Sequence, residues 1–141
     1  HITEFSVPSD YQRGAYNGFW REEWNEATQA DFAERVYTLA FAHPQVHSIG
    51  WWDIVDDKSS VINGGLIRRG GAPKPVFERI TQLMAEWRTN EELTTDAEGE
   101  VETPAFGGEY TITATSPAGK TYEETFQLME RWHGTVSVKV E

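Results

Sequence analysis

The chain has 141 residues, no cysteine and a formal net charge of −11 at neutral pH. This length suits one domain with at most a small annex, and the lack of cysteine excludes a disulfide scaffold. An acidic surface repels nucleic acid and anionic membranes, and no stretch is apolar for long enough to span a bilayer. We therefore expect neither nucleic acid nor a membrane among its partners.

The first half of the chain alternates between strand and helix patterns. Residues 1–7 alternate apolar and polar side chains, which predicts a short strand. Apolar spacing then predicts a helix with Thr28 as its N-cap, ended by Pro44. The nearly continuous apolar run at 46–54 predicts a buried parallel strand, and residues 73–87 predict a second helix. This order is typical of repeated βα units in an α/β fold.

The character of the sequence changes near residue 89. Residues 89–96 are polar and charged and predict a linker, whereas 97–141 carry the period-2 alternation of an all-β unit. We expect three or four antiparallel strands there, the last at 136–140, in a small β-sandwich-like module. A unit of this size has a marginal core, so we expect it to lean on a neighbour. The predicted domains are 1–88 and 97–141.

Acidic and aromatic side chains follow both predicted strands of the first half. Glu4 lies at the end of the first strand, and Trp52 and Asp56 lie at the end of the second. The carboxyl ends of parallel strands meet at one edge of a sheet, so we expect these side chains on the same face. A carboxylate beside an aromatic ring is typical of a carbohydrate site.

Three stretches of the first 88 residues resemble glycoside hydrolase family 10, the xylanase family. "HITEF" looks like its seventh strand, "FAHPQVHSIGWWDIVDD" like its eighth strand, and "GGLIRRGGAPKPVFERI" like its closing segment. The resemblance implies the last quarter of a (β/α)8 TIM barrel, from strand seven to helix eight, in a chain that starts mid-barrel. The β tail is similar to small modules appended to some bacterial members.

The resemblance also implies a reaction. Glu4 would be the nucleophile of a retaining endo-1,4-β-xylanase that cleaves β-1,4-xylan-type plant polysaccharide. Its acid/base partner, about 5–5.5 Å away in retaining enzymes, would lie on a barrel strand outside this chain. The chain alone is therefore expected to be inactive and to need the missing N-terminal part of the barrel, possibly as a separate chain. No cofactor or metal is implied, and the expected location is extracellular or periplasmic, as a secreted bacterial protein.

Four further residues are candidates for substrate binding. Trp52 aligns with a family tryptophan that covers the sugar, and Asp56 matches a family aspartate, although a loop cap explains it equally well. Trp20 and Trp24 either line the cleft or pack a loop. Glu26, in "WNEA", imitates the acid/base motif of the family, but its place at a helix start explains it better.

Two departures from the family pattern leave room for other functions. Ser6 stands where many members carry an aspartate, and "KSSVINGG" lacks a second tryptophan. The alternative is a non-catalytic carbohydrate-binding protein derived from a glycosidase barrel, with a polysaccharide or oligosaccharide as partner in either case. A third hypothesis makes residues 97–141 an independent adhesion or binding module.

Overall fold

The computed structural model describes residues 1–10, 20–129 and 134–139, with the side chain of Lys58 left out. The chain divides into two compact units, His1–Glu86 and Trp87–Glu141. In the described ranges, no helix is both long and apolar enough to cross a membrane. The elements are β1 (Ile2–Phe5), α1 (Glu26–Ala42), β2 (Ile49–Trp51) and α2 (Pro75–Glu86) in the first unit, and β3 (Gly108–Thr115) and β4 (Thr121–Leu128) in the second.

In the first unit, β1 and β2 form a two-stranded parallel sheet. Ile2 lies opposite Ile49 and Phe5 opposite Trp51, so the register shifts by one residue between these pairs. Parallel strands need a crossover connection, which α1 supplies. β2 is much shorter than the predicted run at 46–54, because the chain leaves the sheet after Trp51.

The predicted barrel quarter is wrong. The described residues form two helices and two separate sheets of two strands each. The strand-then-helix pattern that suggested a barrel is shared by every βα unit, so it does not specify how many strands a sheet contains. The predicted β-sandwich-like module is also wrong, since the described residues of the second unit form one two-stranded hairpin. Residues 134–139 form no strand, and Val140 lies outside the described residues.

Both helices pack on the sheet of the first unit. Ala30 and Ala33 of α1 and Val76 of α2 are buried together, with Phe5 and Trp51 packed against them. Alanines at this contact let the two helices come close to each other and to the strands. The ring of Phe5 lies 5.2 Å from that of Trp51 in an edge-on contact, which ties β1 to β2 within this core.

Helix α1 begins one turn earlier than the predicted cap. Asn25 is the N-cap, and its Oδ1 accepts from the backbone N–H groups of Ala27 at 2.8 Å and Thr28 at 3.0 Å. Thr28 completes the capping box, because its Oγ1 accepts from the backbone N–H of Asn25 at 2.8 Å. Thr28 is thus part of the cap but not the cap residue itself.

We expect Asn25→Ala to lower the free energy of unfolding by about 1 kcal/mol, because two backbone N–H groups of α1 lose their acceptor. Urea denaturation of the full chain measures this loss. Asn25→Asp keeps the acceptor oxygen and should restore most of the stability. Equal losses in both variants would show that the cap does not stabilise α1.

The hairpin of the second unit has one polar and one largely apolar face. β3 and β4 pair in continuous register from Gly108 opposite Leu128 to Thr115 opposite Thr121. On the apolar face, the rings of Tyr110 and Phe126 stack with centroids 5.7 Å apart. The opposite face carries only threonine, glutamate and glutamine side chains: Glu109, Thr111, Thr113, Thr115, Thr121, Glu123, Thr125 and Gln127.

Candidate functional site

Polar side chains from several parts of the first unit converge on residues 59–66, which we call the anchored loop. This loop follows the short 3-10 turn Asp56–Lys58, beyond the carboxyl end of β2. Functional residues of parallel α/β folds concentrate at this end of the strands. The anchored loop is therefore the place to examine for a function.

The carbonyl oxygen of Asn63 is the centre of this network. It accepts hydrogen bonds from Ser9 Oγ at 2.8 Å, Gln29 Nε2 at 3.4 Å and Lys74 Nζ at 2.6 Å. The backbone of Asn63 lies in the left-handed region, at φ 45°. Asparagine tolerates this conformation better than most residues do. One carbonyl thus joins the segment after β1, helix α1 and the start of α2.

The next residue, Gly64, is held by two side chains from the sheet region. Its carbonyl oxygen accepts from Ser6 Oγ at 3.1 Å and from the indole Nε1 of Trp51 at 2.9 Å. A Cβ at Gly64 would lie 2.8 Å from Val61 Cβ, an atom that no side-chain rotation moves, and 2.7 Å from Ser6 Oγ. Only glycine fits this close approach.

A buried ion pair lies beneath the anchored loop. The side chain of Lys74 is fully buried, that of Asp56 is 9% exposed, and Lys74 Nζ lies 3.0 Å from Asp56 Oδ1. The same oxygen accepts from the backbone N–H of Gly65 at 2.9 Å. Burial lowers the pKa of Lys74 below its ordinary value, while the hydrogen bond and charge of Asp56 act in the opposite direction.

Asp53 fixes the start of the anchored loop. Its Oδ2 accepts from Ser59 Oγ and from the backbone N–H of Ser60, both at 2.9 Å. Two aspartates after β2 therefore hold the loop at both ends, Asp53 near residue 59 and Asp56 near residue 65. This arrangement is polar, but within the described residues no group of three histidine or acidic side chains is placed to hold a metal ion.

The structure separates the predicted site residues into different environments. Glu4 is exposed on β1, and Trp52 is 54% exposed directly after β2. Asp56 is bound to Lys74 and Gly65, as a loop anchor would be. The roles predicted for these residues toward a substrate stay predictions.

The other two predicted residues pack on α1. Trp24 is only 7% exposed, and its ring lies 5.7 Å from that of Phe32. Trp20 contacts the same phenyl ring at 4.9 Å, and its Nε1 donates to Asp31 Oδ2 at 2.9 Å. That hydrogen bond lowers the pKa of Asp31 below its ordinary value. Both contacts match the loop-packing alternative, although substrate contacts of these two residues stay predictions.

Sequence reasoning missed the residues that hold the anchored loop. Gln29 and Lys74 are both fully buried, yet polar residues in a helical pattern indicate a solvent-facing side. One signal was present: adjacent glycines at 64 and 65 are typical of a close backbone approach. The carbonyl acceptors of both side chains come from distant parts of the chain, so no local pattern points to them.

The fold and the anchored loop define a small α/β unit with a partly buried polar network, followed by a β-hairpin. No protein-family model matches the chain. The chain is 33% identical over 129 residues to the anti-sigma-I factor RsgI6 of Acetivibrio thermocellus. The matched region is 83% of this chain but only 16% of the length of that protein.

This comparison overturns the sequence-based identification. The relative is named as a regulatory protein and not as a glycoside hydrolase, so the assignments to glycoside hydrolase family 10, to xylan hydrolysis and to an enzyme class are wrong. The alternative of a carbohydrate-binding protein has no support either. Among the residues that suggested the family, Asp56, Gly64 and Gly65 build the anchored loop. The domain limits, the polysaccharide partner and the extracellular or periplasmic location stay predictions.

Proposed function

We propose that this chain is a module of a larger regulatory protein that controls a sigma factor. The observation that carries the proposal is the 33% identity to an anti-sigma-I factor over 83% of the chain. The match spans about 16% of that relative, so the regulatory activity of the whole protein is itself part of the proposal.

The surface of the first unit suits a module that acts by direct contact with a partner molecule. Trp52 and Ile54 are each 54% exposed beside the anchored loop. Contiguous exposed apolar patches mark interaction sites, and we infer that Trp52 and Ile54, two residues apart in the chain, contribute to one. The net charge of −11 attracts basic partners at long range. It disfavours direct contact with DNA, because proteins that bind DNA carry basic patches.

The test uses the full-length protein with a reporter gene that depends on its sigma factor. Val76 is fully buried, so Val76→Asp should unfold the first unit, whereas Leu39 is 71% exposed and Leu39→Asp should leave it folded. We expect Val76→Asp to change reporter output several-fold at equal protein amounts, as measured by immunoblotting. Leu39→Asp should leave the output unchanged.

A second variant separates loss of contact from loss of folding. Trp52→Ser combined with Ile54→Ser removes exposed apolar surface without opening the core. We expect it to alter reporter output while the circular dichroism spectrum and the melting temperature stay those of the parent. If neither Val76→Asp nor the double variant changes the reporter, the chain has no part in sigma-factor control.

A further inference from the structure

One buried polar side-chain atom among the described residues of the first unit has no hydrogen-bond partner. Gln29 is fully buried, and its Nε2 donates to the carbonyl oxygens of Val7 at 2.8 Å and Asn63 at 3.4 Å. Its Oε1 is buried and accepts from no donor in the part of the chain that the structure describes. The amide orientation is fixed, because turning it would place Oε1 against two carbonyl oxygens.

An unsatisfied buried acceptor is costly. Leaving such a group without a donor costs about 1–3 kcal/mol, and buried polar atoms in folded proteins therefore almost always have a protein or water partner. The contact of Gln29 Nε2 with Asn63 O, at 3.4 Å, is longer than an ordinary N–H···O bond.

A donor with spare capacity lies next to Gln29. Lys74 Nζ contacts the same carbonyl oxygen of Asn63 at 2.6 Å and Asp56 Oδ1 at 3.0 Å. An ammonium group has three N–H donors, and these two contacts use two of them. Lys74 Nζ and Gln29 Nε2 donate to the same carbonyl oxygen of Asn63, so the two side chains lie close together.

We propose that Gln29 and Lys74 line an interior site that holds one water molecule. The water donates one hydrogen bond to Gln29 Oε1 and accepts one from Lys74 Nζ. Buried waters typically make about three hydrogen bonds to polar groups that are otherwise unsatisfied, and Ser9 and the Asn63 carbonyl add further polar surface beside this site. The water joins α1 to the start of α2 beneath the anchored loop.

The first experiment is a high-resolution crystal structure of the full chain. We expect density for one water within hydrogen-bond distance of both Gln29 Oε1 and Lys74 Nζ. A protein donor on Gln29 Oε1, an ordered molecule other than water, or no ordered molecule at all would each overturn the proposal.

The second experiment follows the water in solution by NMR. We expect cross-peaks between water and the side-chain NH2 protons of Gln29 with the sign of a long-lived interior water. Water cross-peaks to the Gly65 amide, beside Lys74, should weaken in Gln29→Met and persist in Gln82→Met, the matched change at an exposed glutamine of α2. If Gln29→Met does not fold, the parent spectrum decides, since missing cross-peaks to Gln29 contradict the proposal.

Discussion

Replacing Lys74 by methionine will lower the free energy of unfolding of the first unit by about 3–5 kcal/mol. Methionine preserves most of the apolar stem but removes the charge that faces Asp56. The carboxylate of Asp56 is 9% exposed and would keep only the backbone N–H of Gly65 as a described donor. An unpaired charge at such a site is the costly consequence of breaking a buried pair.

Urea denaturation of the full chain measures this effect, and an exposed ion pair provides the control. Arg79 pairs with Glu34 at the surface, where both side chains are more than a third exposed. Arg79→Met should therefore cost less than about 1 kcal/mol. If Lys74→Met costs no more than Arg79→Met, the buried pair does not hold the anchored loop.

A double variant tests whether the cost comes from the charge left behind. Asp56→Leu in the Lys74→Met background removes both charges and should recover part of the lost stability, since a buried pair exchanged for apolar groups is often tolerated. Full recovery is not expected, because the Gly65 amide loses its acceptor in the same change. A double variant less stable than Lys74→Met would contradict this account.

The same lysine should give the stability a characteristic pH dependence. Burial lowers the pKa of Lys74 in the folded chain below the ordinary value of 10.5. Between the lowered pKa and 10.5 the unfolded chain binds more protons than the folded chain, so the free energy of unfolding rises with pH. Lys74→Met lacks this contribution, and the stability difference between parent and variant should grow as the pH rises toward 10.5. A difference that shrinks would mean that Asp56 outweighs burial and raises the pKa of Lys74.

Local patterns in the sequence predicted elements but not their assembly. Apolar spacing predicted both helices, and in α2 it also marked the buried side, because Val76 and Leu83 are buried. In α1 it did not mark the buried side, because Leu39 is 71% exposed and Gln29 is fully buried. The number of strands in a sheet depends on pairing between distant segments, which spacing does not encode, so the barrel prediction failed. Gln29 illustrates the same limit in the site, because its burial depends on carbonyl groups of Val7 and Asn63.

Gly65→Ala will lower the free energy of unfolding by about 3 kcal/mol, at the upper end of the usual cost of overpacking. A Cβ at this position would lie 2.6 Å from the backbone nitrogen of Asp56 and 2.7 Å from the carbonyl carbon of Val55. Both atoms belong to the backbone, so no side-chain rotation relieves the clash. The matched control is Gly70→Ala, since a Cβ there meets nothing within 4 Å; it should be neutral or slightly stabilising.

The clash at Gly65 should act through the buried ion pair, because the added methyl group would also lie 2.9 Å from Asp56 Oδ1. Moving Asp56 lengthens its contact with Lys74, so part of the cost of Gly65→Ala is the weakened pair. In the Lys74→Met background that part is already lost, and Gly65→Ala should then cost clearly less than in the parent. Additive losses, measured by urea denaturation of both single variants and the double variant, would instead show that Gly65 and Lys74 stabilise the anchored loop independently.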